Sequence, residues 1–341
     1  MAVRLRDVAE RAGVSVKTVS NVVNGHAHVA PTTRKRVQGA IDALQYRPNL
    51  SARNLRGGRS GVIALAVPEI DSPYFAELAR CIVQSAEEHG LTVLVDQTDG
   101  LADRERLVMA GFRNHLIDGL IMSPIGLGST EIADHDGRVP LVLLGEKVGA
   151  GPADHVAIDN VRAARTATEH LLALGRRRVA IIGNQPDSPA GSGVARLRRQ
   201  GYEQALRTGG ISLDPTLVVD VPAFGRTQGA AATARLLDSH ARPDGLFCLN
   251  DTLALGALRM LAQRGVPVPS DVAVIGMDDI EDGRWSTPTL STIVPDKTQI
   301  ARCSVEMLLD RMGDNDVSQV APRDVRAGFA LTARESTLGP G

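Results

Sequence analysis

Two kinds of hydrophobic spacing divide the chain near residue 60. Before that point, apolar residues recur every three or four positions, as in amphipathic helices; the first such set is Leu5, Val8, Ala9 and Ala12. After it, short apolar runs such as "GVIALAVP" alternate with helical patterns, which is typical of buried parallel strands joined by helices. The pattern therefore predicts a small all-α head followed by a larger α/β body.

The head pattern predicts two helices joined by a tight turn. The first ends near Gly13, which can adopt the left-handed conformation of a helix C-cap, and Ser15 can cap a second helix over about residues 16–23. Pro31 is expected to open a third helix. Two helices with a short glycine-containing turn make a helix-turn-helix motif, whose second helix enters the major groove of DNA.

Charge is distributed unevenly between head and body. Residues 1–60 contain 11 lysines and arginines against three acids, a net charge of +8, whereas the remainder of the chain carries −9. This asymmetry indicates that only the head meets a polyanion, although a solvated arginine-rich surface is the alternative interpretation. Three distant cysteines, the lack of an apolar run of membrane-spanning length and a start without a secretion signal predict a cytoplasmic protein that does not contact a membrane.

The polar face of the second predicted helix suits base recognition. Lys17 can donate to guanine O6 or N7, Asn21 can pair with adenine, and Val16 can contact a thymine methyl group. The same residues could equally form an ordinary exposed face of a small helical bundle. His28 is expected to contact a phosphate, since no cysteine or acidic ligand lies near it to make a metal site, and neither a metal nor another cofactor is predicted.

A short segment after the third helix, "RPNLSARNLR", can form a hinge helix capped by Asn49. About seven residues are too few for a stable isolated helix, so this segment is expected to need a partner surface. Leu55 is apolar among arginines, and is either a wedge between base steps of the minor groove or a residue that packs on the linker.

In the body, the alternation of strand and helix patterns occurs twice, which predicts two doubly wound lobes with a cleft between them. Buried strands are expected at "GVIALAVP", "LTVLVDQ", "DGLIMSP" and "PLVLLGE", and then at "RVAIIGN", "LVVDVP", "DGLFCLND" and "VAVIGMDD". Ligands bind at the carboxyl ends of such strands. Arg198 is expected to open a helix, and Trp285 is a further aromatic residue near a strand end. The predicted site consists of Asp71, Ser72, Tyr74, Phe75, Ser123, Arg198, Phe224, Asn250 and Asp278.

The chemistry of this set is that of a site for a small polar molecule. Polar groups for hydroxyls and flat rings for apolar faces suit a sugar or a similar ligand. Each residue taken alone could instead cap a helix, form a turn or pack within its lobe. Asp278 and Asp279 are not expected to act as a carboxylate pair, because adjacent strand residues point in opposite directions.

Order and spacing across about fifty residues, "LRDVAERAGVSVKTVSNVVNG" followed by "HVAPTTRKRVQGAIDALQYRPNLSARNLR", resemble the DNA-binding head and hinge helix of the lactose-repressor (LacI/GalR) family. The resemblance implies base-reading positions at Val16, Lys17 and Asn21. It implies backbone contacts at Ser15, Thr18, Ser20, Asn24, His28 and Thr33, and minor-groove contacts at Ala52 and Leu55. Leu5 and Asn49 complete the predicted DNA-binding set.

The resemblance continues through the body, where "ARLRRQGYEQAL" and "LNDTLALGAL" are similar to the periplasmic-binding-protein-like core of the same family. It implies effector contacts at Arg198, Asn250 and Asp278. Four positions depart from the family pattern: Asn21 replaces a frequent arginine, Ala30 a frequent capping serine, and "LLGEK" has Gly145 and Glu146 instead of a common Asp-Arg pair.

The resemblance also implies the domain organisation. Residues 1–47 are expected to form the head, 48–58 the hinge helix and linker, and 59–341 an effector-binding and dimerisation domain. Within that domain, the first lobe is expected to contain residues 61–160 and 291–318, and the second lobe residues 161–290 and 319–335.

The expected function is a ligand-responsive transcription repressor that binds a pseudo-palindromic DNA operator as a homodimer, with a sugar-like effector. No enzyme is expected, since the sequence has no His-Glu-x-x-His, Walker or Gly-x-Ser-x-Gly motif. An activator or corepressor-dependent regulator, a solute-binding protein and an α/β enzyme such as a sugar kinase or dehydrogenase remain as alternatives.

Overall fold

The computed structural model describes residues 3–23, 28–46, 59–110, 116–134, 139–145, 153–186, 193–313 and 321–339. The chain forms two compact units, Met1–Ser60 and Gly61–Gly341, which are the head and the body. Across the described residues, every helix is too short or too polar to cross a membrane.

The head contains helices α1 (Leu5–Ala12), α2 (Val16–Val23) and α3 (Pro31–Leu44). Gly13 has φ 59° and ψ 42°, so the predicted left-handed cap of α1 is confirmed. Ser15 also caps α2 as predicted, since its Oγ accepts a hydrogen bond from the backbone N–H of Thr18 at 3.1 Å. These two caps set the tight turn between the helices.

A compact core holds the three head helices together. Val8, Val19 and Val37 contribute one fully buried side chain from each helix, and Tyr46 closes the core after α3. Val19 packs inward as predicted, and Val22 is also buried, whereas Val23 is only partly covered. On the opposite side of α2, Val16 and Lys17 are exposed, and Ser20 and Asn21 are half-buried.

The body begins with a first run of alternating strands and helices. Its elements are β1 (Val62–Val67), α4 (Pro73–Glu88), β2 (Thr92–Gln97), α5 (Ala102–Met109), β3 (Gly119–Met122), α6 (Ser129–Ala133), β4 (Leu141–Leu144) and β5 (Asp154–Ile158). A second run follows, with α7 (Asn160–Ala173), β6 (Val179–Asn184), α8 (Gly193–Thr208), a 3-10 turn (Pro215–Leu217), β7 (Val218–Asp220), α9 (Arg226–Asp238), β8 (Gly245–Cys248), α10 (Asp251–Gln263), β9 (Ala273–Met277), α11 (Glu281–Trp285) and β10 (Ser291–Pro295). The chain ends with α12 (Lys297–Gly313), β11 (Asp324–Ala327), β12 (Phe329–Thr332) and α13 (Glu335–Leu338).

Each run builds one six-stranded sheet and one lobe. The first sheet has the order β11-β5-β4-β3-β1-β2 and is parallel throughout. The second has the order β12-β10-β9-β8-β6-β7, in which β12 alone is antiparallel to its neighbour. Helices cover the faces of these sheets, and the central strands β3, β4, β6, β8 and β9 are buried along their whole length. The predicted α/β architecture with two lobes is confirmed.

Two strands expected to be buried are edge strands instead. β2 ends the first sheet, and its Leu94 and Val95 are each 37% exposed. β7 ends the second sheet, where only Val219 of its three residues is buried. The apolar composition of these segments led to the wrong expectation, because a strand is buried by its neighbours and not by its own sequence.

The predicted lobe boundaries are wrong where the chain returns between the lobes. β10, expected in the first lobe, pairs with β9 of the second sheet, and β11, expected in the second lobe, pairs with β5 of the first. Helix α12 packs against α4, β3, β4 and β5, and so belongs to the first lobe. Three connections therefore join the lobes: β5 to α7, β10 to α12, and β11 to β12.

Candidate functional site

Helix α2 presents a polar and partly apolar surface opposite the head core. Val16 is 41% exposed, Lys17 is exposed, and Ser20 and Asn21 are half-buried at its edges. Val16 and Lys17 are adjacent in the first turn of α2, and Asn21 lies four residues after Lys17, so the side chains of Lys17 and Asn21 are neighbours on one face of the helix. The helix therefore carries one cation, one amide and one small apolar group, which are the types of group that recognise base edges in DNA-binding proteins.

The remaining predicted DNA contacts differ in their surroundings. The hydroxyls of Ser15 and Thr18 lie 2.9 Å apart at the N-terminus of α2, so both take part in the cap. His28 is exposed, Thr33 is half-buried in the first turn of α3, and Leu5 packs partly against the head core. Asn24, Asn49, Ala52 and Leu55 lie outside the described residues.

Arg36 links α3 to the end of α1 in the head. Its Nη2 donates hydrogen bonds to the carbonyl oxygens of Ala12 at 3.0 Å and Gly13 at 3.2 Å. A guanidinium at this point satisfies carbonyls at the end of α1 and complements the negative end of the helix dipole. The positive charge of Arg36 therefore joins α3 to the helix-turn-helix turn. The start of α3 follows expectation: Ala30 makes no side-chain cap and Pro31 occupies the first turn.

Between the lobes of the body lies a cleft with a cavity of about 380 Å³. Residues from both sheets line it near the carboxyl ends of their strands, as the doubly wound fold predicts. The structure brings most of the predicted effector residues together here: Ser72, Tyr74, Phe75, Ser123, Arg198, Phe224, Asn250 and Asp278. Asp71 is exposed and does not belong to the lining, and Trp285 is 80% exposed on α11, also away from it.

Aromatic rings form part of the cavity wall on each lobe. The rings of Tyr74 and Phe75, in the first turn of α4, meet edge to face with centroids 5.3 Å apart. Phe224 follows β7 on the second lobe. Burial raises the pKa of the Tyr74 hydroxyl, with Asp278 adding to this rise and Arg198 opposing it, so Tyr74 is a neutral hydrogen-bonding group in the cavity.

Arg198 is the buried cation of the cleft. It lies in the second turn of α8, which begins at Gly193, so the expectation that Arg198 opens the helix is wrong. Its Nε donates to Asn160 Oδ1 at 2.7 Å, and its Nη1 donates to the carbonyl oxygen of Leu249. Its Nη2 lies 4.0 Å from Asp278 Oδ1. These bonds fix the plane of the guanidinium toward the cavity.

Asp278 and Asp279 have different roles although they are adjacent. They follow β9 with φ values of 120° and 48°, so the expectation of two strand residues is wrong. Burial raises the pKa of Asp278 to about 6, against the opposing charges of Arg198 and Lys297. Burial acts on Asp279 in the same direction, but hydrogen bonds from Arg284 and Arg334 outweigh it and lower the pKa of Asp279. Only Asp278 lines the cavity.

Asn250 combines two functions. Its Oδ1 accepts a hydrogen bond from the backbone N–H of Leu253 at 2.9 Å and caps α10, while its Nδ2 donates to the carbonyl oxygen of Phe224 at 3.3 Å. The cap thus ties the loop that carries Phe224 to the end of β8. Asn250 therefore lines the cavity, as predicted, and also caps a helix, which was the alternative interpretation.

Sequence reasoning missed several polar groups of the cavity. Glu69, Asp99, Asn160 and Gln185 all line it, and each follows a strand by one or two residues. The rule that ligands bind at strand ends could have found them. Burial, and then the nearby charges of Asp71 and Asp99, raise the pKa of Glu69. Gly145 also lines the cavity, while Glu146 lies outside the described residues.

Comparison with known proteins identifies both units. Residues 4–49 match the family model "Bacterial regulatory proteins, lacI family", and residues 168–337 match "Periplasmic binding protein-like domain". The chain is 32% identical over 305 residues to the transcriptional regulator DegA of Bacillus subtilis, covering 86% of each protein.

Two solved structures extend this likeness to three dimensions. A lac repressor dimer bound to operator and an anti-inducer has a TM-score of 0.85 and 28% identity, covering 99% of this chain and 100% of the other. The transcriptional regulator CelR in complex with cellobiose has a TM-score of 0.70 and 30% identity, covering 98% of this chain and 99% of the other. The chain belongs to the lacI family of bacterial regulatory proteins, and it is a DNA-binding transcriptional regulator.

Proposed function

We propose that this regulator is a repressor that binds a pseudo-palindromic operator as a homodimer and responds to a small polyhydroxylated effector, such as a sugar or sugar derivative. The observation that carries the proposal is the cleft between the lobes, where Arg198 and Asp278 face a cavity with aromatic walls. An effector of this class offers hydroxyls to the charged groups and apolar ring faces to the aromatic side chains.

For DNA recognition, the proposal assigns the base edges to Val16, Lys17 and Asn21 on α2. Phosphate contacts are assigned to residues around the turn and the start of α3, including His28 and Thr33, because such contacts position the helix without reading sequence. Asn49, Ala52 and Leu55 are assigned to the hinge segment, with Leu55 as the minor-groove wedge.

Exposed apolar residues on the first lobe support the homodimer. Leu94 and Val95 lie on β2, the terminal strand of its sheet, and Leu107 of α5 is also exposed beside a groove that Leu94 helps to line. A sheet edge with exposed apolar side chains is a surface that proteins usually cover. A second copy of the chain would cover it and explain why the β2 sequence has the apolar composition of a buried strand.

The size and chemistry of the cavity support a small polar effector. At about 380 Å³ it lies near the lower end of small-molecule sites, which span roughly 300–1,000 Å³. Its carboxyl, amide and guanidinium groups supply both hydrogen-bond donors and acceptors. The structurally similar CelR was solved with cellobiose.

Regulation then follows from unequal affinity of the effector for two arrangements of the lobes. An effector that binds both arrangements equally would change nothing. We assign the effector as an inducer, so that it weakens operator binding. A ligand that instead strengthens operator binding would mark the protein as corepressor-dependent, and one that turns on transcription from the bound site would mark it as an activator.

Gel-shift titration on a fragment from its own promoter region tests the DNA part of the proposal. The wild type is expected to shift the fragment in moderate salt, and the combined variant Lys17→Ala with Leu55→Gly is expected to lose binding. Arg207→Ala, an exposed cation on the body, serves as the control that keeps binding. Wild-type affinity in the combined variant would refute the assignment of the head residues.

A thermal-shift screen of sugars, nucleosides and related metabolites tests the effector part. At least one polyhydroxylated compound is expected to raise the unfolding temperature and to change operator affinity in the gel shift. If only compounds without hydroxyl groups raised the unfolding temperature, the assignment of effector chemistry would be contradicted. The DNA-binding part of the proposal would not be affected.

A further inference from the structure

The two lobes also meet at a contact beside the cavity. Glu77, on α4 of the first lobe, accepts a hydrogen bond from the backbone N–H of Glu281 at 2.9 Å, where α11 of the second lobe begins. Lys297, the first residue of α12, donates to the other oxygen of Glu77 and to the carbonyl oxygen of Asp279 at 3.2 Å. Two side chains from first-lobe helices therefore hold the backbone of the second lobe between residues 279 and 281.

This contact is shielded from solvent. The side chains of Lys297 and Glu77 are 12% and 23% exposed. In most other ion pairs of the body, at least one of the two side chains is 36% exposed or more. Salt and water screen a partly buried pair less than an exposed one, so the attraction between these charges is stronger than that of an ordinary surface pair.

The residue directly before this backbone segment, Asp278, forms part of the cavity wall. Asp278 lines the cavity with φ 120°, and Asp279 follows with φ 48°; such values in residues other than glycine persist only where the surroundings hold them. Arg334 of the second lobe holds the Asp279 carboxylate at 2.6 Å. Lys297 Nζ lies 5.9 Å from the ring centroid of Tyr74, another lining residue.

We propose that Glu77 and Lys297 form an interlobe latch, which holds the cleft closed by gripping residues 279–281 and couples the cavity to lobe movement. Neither side chain lines the cavity, so both act as positioning residues through Asp278 and Tyr74. Opening the cleft must break the bonds from Glu77 to Glu281 and from Lys297 to Asp279, because these bonds cross between the lobes. The ion pair between Glu77 and Lys297 can remain on the first lobe.

Coupling works in both directions. A molecule that fills the cavity and binds Asp278 stabilises the turn that the latch grips, and a stronger latch favours the closed cleft for that molecule. The latch therefore sets how often the ligand-free protein opens its cleft. This inference goes beyond the proposed effector class, since it concerns the protein without any ligand.

Hydrogen–deuterium exchange of the full-length, ligand-free protein tests the latch. The variants are Glu77→Met, which removes the acceptor for the backbone N–H of Glu281, Lys297→Met, which removes the donor to the carbonyl oxygen of Asp279, and the two combined. Asp238→Asn is the matched control, because it breaks the ion pair with Arg264, whose bonds of 2.9 and 3.2 Å lie within the second lobe. Exchange is followed in peptides from both cleft faces, around residues 119–127 and 246–254.

Each single variant is expected to accelerate exchange on both cleft faces by roughly fivefold, as expected for a partly buried charged contact. The combined variant should be faster than either single variant, since Glu77 and Lys297 each make their own bond to the second lobe. Asp238→Asn should leave the cleft peptides unchanged. Trp285, the only tryptophan of the chain, lies on α11 after Glu281, and its fluorescence anisotropy should fall in the latch variants alone.

Unchanged exchange on the cleft faces in both single variants would overturn the proposal. Faster exchange confined to α4 would also overturn it, because it would show that Glu77 only stabilises its own helix. Neither result depends on an effector or on operator DNA, so failure of the latch is distinguishable from failure of the proposed function.

Discussion

Arg198 and Asp278 face each other in the cleft with 4.0 Å between Nη2 and Oδ1, and each side chain is 10% exposed. This separation is too long for a direct hydrogen bond. A ligand hydroxyl can bridge it, because it can donate to the carboxylate and accept from the guanidinium at the same time. The pair therefore suits recognition of a hydroxyl-bearing molecule.

Replacement of Arg198 should abolish the response to the effector without loss of operator binding. Arg198→Met removes the guanidinium from the cavity wall. Loss of a hydrogen bond to a charged group weakens the affinity for the effector roughly tenfold or more. Isothermal titration with the compound found in the thermal-shift screen measures the change. Arg207→Met, an exposed cation on the same helix, is the control. Equal affinity in wild type and Arg198→Met would contradict the assignment.

Effector affinity should rise with pH between about 5 and 7. Burial raises the pKa of Asp278 to about 6, so the carboxylate that accepts hydroxyl hydrogen bonds forms across this interval. Affinity should increase by about tenfold from pH 5 to pH 7 and then level off. Titration calorimetry at pH 5, 6 and 7 measures the trend. Asp278→Asn should lose this pH dependence, whereas Asp71→Asn, outside the cavity lining, should keep it.

Asp251 should make the body less stable as pH rises. Burial, and then the nearby Asp278, raise the pKa of Asp251 to about 8. The native carboxyl keeps its proton up to about pH 8, while the unfolded chain releases it near the ordinary value of 3.8. The native state therefore binds the extra proton between these values, and its stabilising contribution, fully present at low pH, is lost as pH rises through this window.

Asp251→Asn tests that expectation. Thr292 Oγ1 donates to Asp251 Oδ1 at 2.7 Å, and the backbone N–H of Ile280 donates to Asp251 Oδ2 at 3.0 Å. When the Asp251 carboxyl is protonated, the Thr292 hydroxyl can accept its proton and donate instead to the carbonyl oxygen of Ile293, 3.2 Å away. An asparagine amide reproduces both bonds. Urea unfolding at pH 5 and pH 8 should show a pH-dependent loss on the order of a few kcal/mol in the wild type and a smaller loss in Asp251→Asn. The same loss in both proteins would assign the effect to other groups.

Head variants should separate base reading from backbone contact. Lys17→Ala and Asn21→Ala are each expected to cost about 1–3 kcal/mol of discrimination at one operator base pair. Thr33→Ala, at an assigned phosphate contact, should weaken all operator variants alike. Competition gel shifts over a set of single-base operator variants make the comparison. Uniform weakening by all three variants would show that α2 does not read sequence.

Arg36→Met should destabilise the head without a change in base preference. It leaves the carbonyls of Ala12 and Gly13 without their guanidinium donor, at a cost of about 1 kcal/mol. Hydrogen–deuterium exchange in α1 peptides of the full chain measures the loss of stability. Lys35→Met, an exposed neighbour on α3, is the control and should leave exchange in α1 unchanged. If Lys35→Met accelerated exchange in α1 more than Arg36→Met, the proposed role of Arg36 in stabilising the end of α1 would be refuted.

Local patterns predicted most elements because their signals are local. The caps at Gly13 and Ser15 depend on residues within one turn, and they occur as predicted. The periodicity of the body predicted eight of the twelve strands in the described part of the chain, β1 to β4 and β6 to β9, with helical patterns alternating with them. It failed for the exposure of β2 and β7, since position within a sheet is decided by pairing between distant segments.

For the cleft, the strand-end rule found seven lining residues, while Arg198 lies within α8. The prediction missed other residues that obey the same rule, such as Asp99 and Asn160. Asp71 satisfied the rule but faces solvent, one residue before Ser72, which lines the cavity. A strand-end position limits where a side chain can be, but the turn that follows decides where it points.

The sequence by itself determined the helix-turn-helix head, the two-lobed α/β class and the candidate cleft residues, because spacing, caps and short motifs act over a few positions. Only the tertiary structure decided that β10 and β11 exchange lobes relative to expectation, that Arg36 caps a helix, and that Glu77 and Lys297 grip the turn after Asp278. These relationships join residues 16 to 220 positions apart, and their energies depend on burial and distance, which no local pattern contains.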